Sequence, residues 1–349
     1  MPQSSPRFLI IRLSSIGDIV HALPAVAALG ETYPQAEIHW VVETRHAVLL
    51  QGNPFVHRVI NLDTLGWRAN LASRRTVKSV MQGIAALRQV EYDAALDFQG
   101  LYKSALIARL SRSSQRLGLA EPWLREPAAA AIYTERVAPR RGSHIIEMNM
   151  ALVERLGVGP VARERWQFPL PCSPEDDQYV ERQLALRGCD DFMVVNPGGG
   201  WKNKCWPPEN YAELIRRMAA AFPGNIFLTG SSAEEPLIQG IIQQADSPRV
   251  KHFPSTITQF IPLVRRAKLF LGGDTGPLHL AAAVRTPIVA LYGPTDPARN
   301  GPFSEADITL WNQGPIDYTR RTPQAGYLAG ISVESVRAAI HERLARAYG

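Results

Sequence analysis

The sequence is poor in cysteine and lacks any long apolar run. Its three cysteines, Cys172, Cys189 and Cys205, are scattered without the paired spacing of a zinc site, and an odd, unpaired set suits a reducing compartment. The apolar run at residues 8–11 is too short for a signal-peptide core, and no other run approaches the length of a membrane span. These absences argue against a disulfide-stapled secreted domain and against a membrane-spanning protein, and we predict a cytoplasmic protein.

The familiar nucleotide and metal motifs are also absent. The sequence contains neither a P-loop pattern nor G-x-G-x-x-G. It has no D-x-D pattern that could form an acidic metal cage, and no Cys/His cluster. We therefore predict that the protein uses no metal ion and no cofactor.

The sequence has fewer acidic than basic residues, and the excess positive charge lies in one half of the chain. Residues 1–170 hold 20 Lys+Arg against 14 Asp+Glu, whereas residues 171–349 hold 18 of each, so the net charge of +6 belongs to the first half. Such an imbalance favours an anionic partner: a phosphorylated substrate, an acidic lipid head group or a nucleic acid. An ordinary basic surface is the alternative.

Two α/β domains are predicted from length and pattern. With 349 residues, of which 46% are hydrophobic and 20% charged, the chain can fill two ordinary globular domains. Short apolar runs alternate with helical patterns in both halves, which predicts parallel, doubly wound sheets. Irregular, proline-containing sequence from 163 to 174 marks the boundary, so the expected domains are 1–170 and 171–349. A final amphipathic helix at 333–348 can pack back on the first domain.

Chemistry-bearing turns follow several predicted strands of the second domain. In open parallel sheets, ligands bind at the carboxyl ends of the strands. Asp274, Thr275 and Gly276 stand between an apolar run and an alanine-rich helix, where exposed amides and the helix dipole favour a phosphate. Alternatively, Asp274 or Thr275 only caps that helix.

A second glycine turn in this domain carries cations. Gly199 and Gly200 let backbone amides approach a ligand closely, and Lys204 adds a mobile positive charge. Glu234 follows another predicted strand, where its carboxylate can either cap a helix or accept two ribose hydroxyls.

The first predicted strand of the chain leads into Ser15, Gly17 and Asp18. Asp18 stands at a helix start, where it can be a plain cap or a general base that accepts a proton from an attacking hydroxyl. Further along the first half, basic residues cluster around Trp67: Arg68, Arg74, Arg75 and Lys78. They indicate an anionic acceptor, although a solvated basic face and RNA binding are the alternatives.

Several motifs together resemble one known family. Residues 12–25 (RLSSIGDIVHALPA) are similar to the N-terminal motif of the ADP-heptose:lipopolysaccharide heptosyltransferases, glycosyltransferase family 9. Residues 273–283 (GDTGPLHLAAA) and 289–297 (VALYGPTDP) resemble its C-terminal signature, and residues 204–207 (KCWP) its Lys-x-Trp-Pro segment. Residues 97–105 (DFQGLYKSA) and 125–127 (REP) resemble the heptosyltransferase I branch.

This resemblance implies a fold, a reaction and a set of site residues. The fold would be GT-B: two Rossmann-like domains facing across a cleft, with the acceptor bound in the first and the nucleotide sugar mainly in the second. The reaction would be inverting, metal-independent transfer of L-glycero-D-manno-heptose from ADP-heptose to Kdo of Kdo-lipid A, with Asp18 as general base. The donor-binding residues implied are Gly199, Gly200, Lys204, Glu234, Asp274, Thr275, Gly276 and His279. The acceptor-binding residues are Ser15, Gly17, Arg68, Arg74, Arg75, Lys78, Gln99, Lys103 and Arg125.

Other functions remain open from the sequence. A later-acting heptosyltransferase with a heptosylated acceptor, or a transferase that uses another nucleotide sugar, would carry the same motifs. A non-enzymatic sugar-nucleotide-binding protein belongs to a different class, and the presence of both Asp18 and Lys204 argues against it. The expected location is cytoplasmic, at the cytoplasmic face of the inner membrane, because anionic lipids attract a basic surface. Nucleic acid is not an expected partner.

Overall fold

The chain divides into two compact units, Met1–Pro171 and Cys172–Gly349. The computed structural model describes residues 5–69, 73–188, 191–318 and 326–349, and it excludes the side chains of residues 68 and 69. Cys189 and the side chain of Arg68 therefore lie outside the described residues. Within them, no helix is both long and apolar enough to cross a bilayer.

The first unit is built on a six-stranded parallel sheet. Its strand order is β3-β2-β1-β4-β5-β6, and every neighbouring pair is parallel. The strands are β1 (Arg7–Ile11), β2 (Glu37–Glu43), β3 (Arg58–Leu62), β4 (Ala94–Asp97), β5 (Gln115–Leu119) and β6 (Glu135–Val137). The helices are α1 (Ile16–Thr32), α2 (Thr64–Ala69), α3 (Arg74–Leu87), α4 (Tyr102–Leu110) and α5 (Ile145–Glu154).

Helices cover this sheet because its central strands are apolar on both faces. Phe8 to Ile11 of β1 are all buried, as expected for a parallel strand between two helical layers. Leu87 of α3 and Ile107 of α4 join Leu9 and Ile11 in one apolar cluster. α1 and α5 contact each other. Pro24 lies buried within α1, which continues through it as a single helix.

The second unit repeats the architecture. Its six parallel strands run in the order β12-β11-β10-β7-β8-β9. They are β7 (Phe192–Asn196), β8 (Asn225–Leu228), β9 (Val250–His252), β10 (Leu269–Gly273), β11 (Ile288–Tyr292) and β12 (Ile308–Trp311). The helices are α6 (Pro174–Ala185), α7 (Pro208–Ala221), α8 (Glu235–Ala245), α9 (Ile257–Arg266), α10 (Gly276–Ala283), α11 (Pro297–Asn300) and α12 (Val333–Tyr348).

The last helix is held within its own unit. α12, which the sequence allowed to pack on the first domain, contacts α7, β11 and β12. Its buried residues Val336 and Ile340 join the apolar cluster that contains Trp206 and Leu291. The second unit thus has a complete sheet and an apolar core of its own.

Candidate active site

In each sheet the strand order reverses between two neighbouring strands. Candidate site residues of each unit lie in the turns at these positions. In the first unit the chain passes from β1 outward to β2 and from β4 outward to β5, in opposite directions along the strand order, and in the second unit it leaves β7 and β10 in the same way. Ligands bind in the crevice at the carboxyl ends of such strands. The sequence singled out the turns after β1, β7 and β10, and the turn after β4 was quoted for its family likeness.

The turn after β1 fixes Asp18 in the first turn of α1. Ser15 is the N-cap residue, and its backbone N–H and hydroxyl both donate to Oδ2 of Asp18 at 2.9 Å. Arg12 forms an ion pair with Oδ1 of the same carboxylate. Gly17 is buried beneath this turn. Asp18 is therefore a helix cap, but its side chain remains 39% exposed and can reach a ligand.

Arg12 is a buried cation that sequence reasoning did not select. Its guanidinium is 5% exposed, pairs with Asp18 through Nη2 and donates from Nη1 to the carbonyl of Phe98. Trp40 donates its indole N–H to the carbonyl of Arg12 at 3.1 Å. Because an unpaired buried guanidinium is costly, these partners hold it against Asp18.

The turn after β4 supports the turn after β1. The fully buried Asp97 accepts hydrogen bonds from the backbone amides of Gln99, at 2.9 Å, and Gly100, at 3.1 Å. Gln99 in turn accepts the amides of Leu13, at 2.9 Å, and Ser14, at 3.3 Å, through its side-chain oxygen. Burial raises the pKa of Asp97 despite these hydrogen bonds. The predicted acceptor residue Gln99 therefore uses its carbonyl oxygen to hold the loop that carries Asp18.

His46 lies in the electrostatic field of Asp18. Burial, together with the charge of Arg45, lowers its pKa to about 4, although the charge of Asp18 acts in the opposite direction. The imidazole is therefore neutral at neutral pH. No sequence pattern indicated His46, because it follows β2 in a short 3-10 helix and not in one of the glycine turns.

The predicted acceptor cations fall into two groups. Lys103 is partly buried, with Nζ 3.3 Å from the hydroxyl of Thr64 and 3.9 Å from the carboxylate of Glu43. Arg74, Arg75 and Lys78 are exposed at the start of α3, and Arg125 is exposed between β5 and β6. The first group is set among polar partners, and the second faces solvent.

In the second unit, Asp274 is the centre of a buried polar cluster. It is 4% exposed and forms an ion pair with Lys204 through Oδ2. Thr295 donates to Oδ2 at 2.7 Å, Asn300 donates to Oδ1 at 3.0 Å, and His279 lies 3.0 Å from Oδ1. A carboxylate offers about four acceptor positions, so this one is filled by protein groups.

The electrostatics of this cluster favour the ionised carboxylate. Burial alone would raise the pKa of Asp274, but the hydrogen bond to His279 and the charge of Lys204 outweigh it and hold the pKa far below its usual range. Lys204 also lies over the ring of Trp201, 5.5 Å from its centroid. Asp274 thus holds the predicted phosphate-binding cation in place.

The glycine turn after β7 brings the other donor residues together. A Cβ on Gly198 would overlap the carboxylate of Glu234, and one on Gly199 would lie 2.9 Å from the methyl group of Thr275. Only glycine permits both approaches. Gly200 borders open space. Glu234 accepts from the amide and hydroxyl of Ser231, at 2.7 and 2.8 Å, and is therefore a cap in this structure.

The start of α10 presents two amides. Thr275 is the N-cap residue, and Gly276 is the first helical residue. Pro277 follows and has no N–H, so the amides available to an anion at this end are those of Thr275 and Gly276.

Thr295 and Asn300 contact Asp274 in the candidate site, and the sequence reasoning missed both. Both belong to the segment after β11, whose residues 293–297 were quoted only for their family likeness. Their separation from Asp274 along the chain hid the contact, which arises because β10 and β11 are paired in parallel. Among the described residues, no group of three His, Cys, Asp or Glu is placed to hold a metal ion.

Two doubly wound sheets with polar turns at their carboxyl ends define an α/β protein of the class that binds ligands at those ends. The family model for glycosyltransferase family 9 (heptosyltransferase) matches residues 80–325. Lipopolysaccharide heptosyltransferase 1 of Pseudomonas aeruginosa is 30% identical over 314 residues, 88% of this chain and 84% of that protein. Lipopolysaccharide heptosyltransferase 3 of Escherichia coli K12 is 23% identical over 94% of this chain and 95% of its own.

A solved structure of a heptosyltransferase is also similar to this chain. Heptosyltransferase WaaC of E. coli with ADP-2-deoxy-2-fluoro heptose has a TM-score of 0.78 and 26% identity, with 96% of this chain and 99% of that chain covered. The chain belongs to glycosyltransferase family 9, the heptosyltransferase family. It is a glycosyltransferase with the GT-B fold, as the sequence predicted.

Proposed function

We propose that this enzyme transfers L-glycero-D-manno-heptose from ADP-heptose to Kdo of Kdo-lipid A, with inversion at the anomeric carbon. The proposal is carried by charged side chains at the carboxyl ends of strands in both units. These are Asp18 after β1 and the Lys204–Asp274 ion pair after β7 and β10. The similarity to heptosyltransferase 1 and to WaaC with an ADP-heptose analogue supports the acceptor and donor classes.

The donor diphosphate binds at the start of α10. The amides of Thr275 and Gly276 point at the phosphates from the positive end of the helix dipole. Lys204 leaves Oδ2 of Asp274 to reach the diphosphate, which frees an acceptor position of Asp274 for a heptose hydroxyl. Glu234, with Gly199 and Gly200 beside it, takes the ribose. His279 keeps Asp274 oriented.

The chemical step needs a base and a charge sink. Asp18 accepts the proton of the attacking Kdo hydroxyl while Ser15 and Arg12 hold its carboxylate. Attack from the face opposite the ADP breaks the anomeric C–O bond and leaves its electron pair on the diphosphate. Lys204 and the α10 amides stabilise that charge where it develops. The reaction requires no metal ion.

The acceptor is anionic and is bound by the basic first unit. Ser15 and Gly17 belong to the turn that carries Asp18, and Gln99 holds it. Lys103, which lies beside Thr64 and Glu43, joins Arg125 and the cations of α3 in attracting the phosphates and carboxylates of Kdo-lipid A. The enzyme works at the cytoplasmic face of the inner membrane, where this lipid is presented.

The second candidate is a later-acting heptosyltransferase. The similarity to heptosyltransferase 3 over nearly the whole chain favours it. A transferase for another nucleotide sugar differs only in donor selectivity. A sugar-nucleotide-binding protein without catalysis would bind ADP-heptose and release no ADP.

One assay separates these functions. The protein is incubated with ADP-heptose and either Kdo-lipid A or its mono-heptosylated form, and products are identified by mass spectrometry. A single added heptose on Kdo-lipid A is the expected result. Product only on the heptosylated acceptor would identify a later-acting heptosyltransferase. Binding of ADP-heptose without release of ADP would show that the protein does not catalyse the transfer.

The same assay tests metal independence. Excess EDTA should leave the rate unchanged. A collapse of the rate that magnesium restores would contradict the proposal.

A further inference from the structure

One helix of the first unit carries an apolar face that the proposed transfer chemistry does not use. Val77 and Met81 on α3 are 49% and 66% exposed, and Ala85, one turn further along, is exposed as well. At 100° per residue these three form a stripe on the side of the helix opposite Thr76, Gly83 and Leu87, which are buried. The helix therefore packs one face on the sheet and presents a second apolar face to solvent.

Cations border this stripe at one end. Arg74, Arg75 and Lys78 lie in the first turns of α3, and the helix contains no acidic residue. Arg74, Val77, Lys78, Met81, Gln82 and Ala85 line a shallow hollow. In the described part of the chain, none of the three cations has an ion-pair partner.

Helix stability does not account for this placement. Positive charge at a helix N-terminus opposes the macrodipole, and an exposed methionine contributes nothing to the core. The pattern instead matches an interfacial helix, in which apolar side chains enter the lipid boundary and Lys or Arg contacts anionic head groups.

We propose that the outer face of α3, formed by Val77, Met81 and Ala85 with Arg74, Arg75 and Lys78, docks on an anionic lipid bilayer. The charge selects anionic head groups, and the apolar stripe inserts among them. This assignment rests on the proposed function only in naming where the enzyme meets the membrane that presents its acceptor. The docking itself needs neither donor nor acceptor.

The test is co-sedimentation of the full-length protein with vesicles. Vesicles of phosphatidylcholine alone are compared with vesicles that contain one-third phosphatidylglycerol, at low and high salt. Binding to the anionic vesicles only, and weaker binding at high salt, is expected. The double variant V77E/M81E should lower the partition coefficient at least tenfold, because it places carboxylates in the contact face.

Three single-residue variants, each of which removes one positive charge, separate the effect of charge from that of apolar contact. Each of R74Q, R75Q and K78Q should lower the partition coefficient about fivefold. The matched control is L186E, which places the same charge on a leucine that is 80% exposed in the other unit. This control should bind vesicles like the unmodified protein. Hydrogen exchange on the unmodified protein should show that residues 74–88 become protected when vesicles are added.

Two results would overturn the proposal. One is equal vesicle binding by V77E/M81E and L186E. The other is a change of oligomeric state in V77E/M81E with vesicle binding intact, which would make the face a contact between two copies of the chain. Failure of heptose transfer with docking retained would reject the proposed function and leave the docking surface in place.

Discussion

At the scale of single residues, Asp18 caps α1 and is also the general base that we propose, two roles that sequence reasoning treated as alternatives. Its Oδ2 caps α1, while 39% of the side chain stays exposed. Asp18→Asn keeps the size of the side chain but cannot take a proton. We expect kcat to fall about 10²–10⁴-fold with the dissociation constant of ADP-heptose unchanged by calorimetry.

The control is Asp93→Asn. Asp93 caps the opposite end of the same sheet through the amide of Arg7, so this variant should keep its kcat. Substantial turnover in Asp18→Asn would remove Asp18 as the base.

Arg12 is expected to set the pH range in which Asp18 works. Arg12→Met removes a buried positive charge beside the carboxylate, and an adjacent opposite charge favours the ionised form. The acidic limb of the pH–kcat profile should therefore move to higher pH by about one unit or more. Arg12→Lys, which keeps the charge, should move it less. A lower kcat with an unmoved limb would show that Arg12 only supports the loop.

Asp274 is expected to stabilise the second unit at neutral pH. Asp274→Asn breaks a buried ion pair, so the free energy of unfolding should fall by about 3 kcal/mol in urea at pH 7. Its folded pKa lies below the unfolded value of about 3.9. The contribution is thus present above that pH and lost as the pH falls further. The difference in the free energy of unfolding between the unmodified protein and Asp274→Asn should therefore shrink towards pH 2.

The matched control is Asp191→Asn, which breaks an exposed pair with Lys268. It should cost less than about 1 kcal/mol. An equal loss in both variants would mean that burial does not strengthen the Asp274 pair.

At the scale of elements, the turn after β4 acts on the turn after β1. Gln99→Leu removes the acceptor of the Leu13 and Ser14 amides, which should cost about 1–3 kcal/mol of stability. The loop that holds Asp18 loosens, so kcat should fall without a shift of the acidic limb. A pH–kcat profile recorded beside that of Arg12→Met checks this. A shifted limb in Gln99→Leu would show that loop position, rather than charge, sets the profile.

The sequence predicted the elements better than their contacts. The apolar run before Asp274 located β10 because buried parallel strands read as continuous apolar segments, and the final helix at 333–348 was predicted with its observed bounds. The ion pair of Arg12 with Asp18 and the bonds of Thr295 and Asn300 to Asp274 were not predictable. They depend on how neighbouring strands bring distant turns together, which no local spacing encodes.

At the scale of the whole molecule, each unit has its own sheet and core. α12 closes the second unit on α7 and β11, so residues 172–349 hold a complete doubly wound domain together with Lys204, Glu234, Asp274 and the start of α10.

We expect this unit, produced alone, to unfold cooperatively by circular dichroism. It should bind ADP within about tenfold of the full-chain affinity, because a preformed site loses little when no bond to the ligand is removed. It should transfer no heptose, because Asp18 lies in the other unit. Lys204→Met in the same fragment should weaken ADP binding and leave the fold intact. A folded fragment that fails to bind ADP, beside a full chain that binds it, would mean that the first unit supplies part of the donor site.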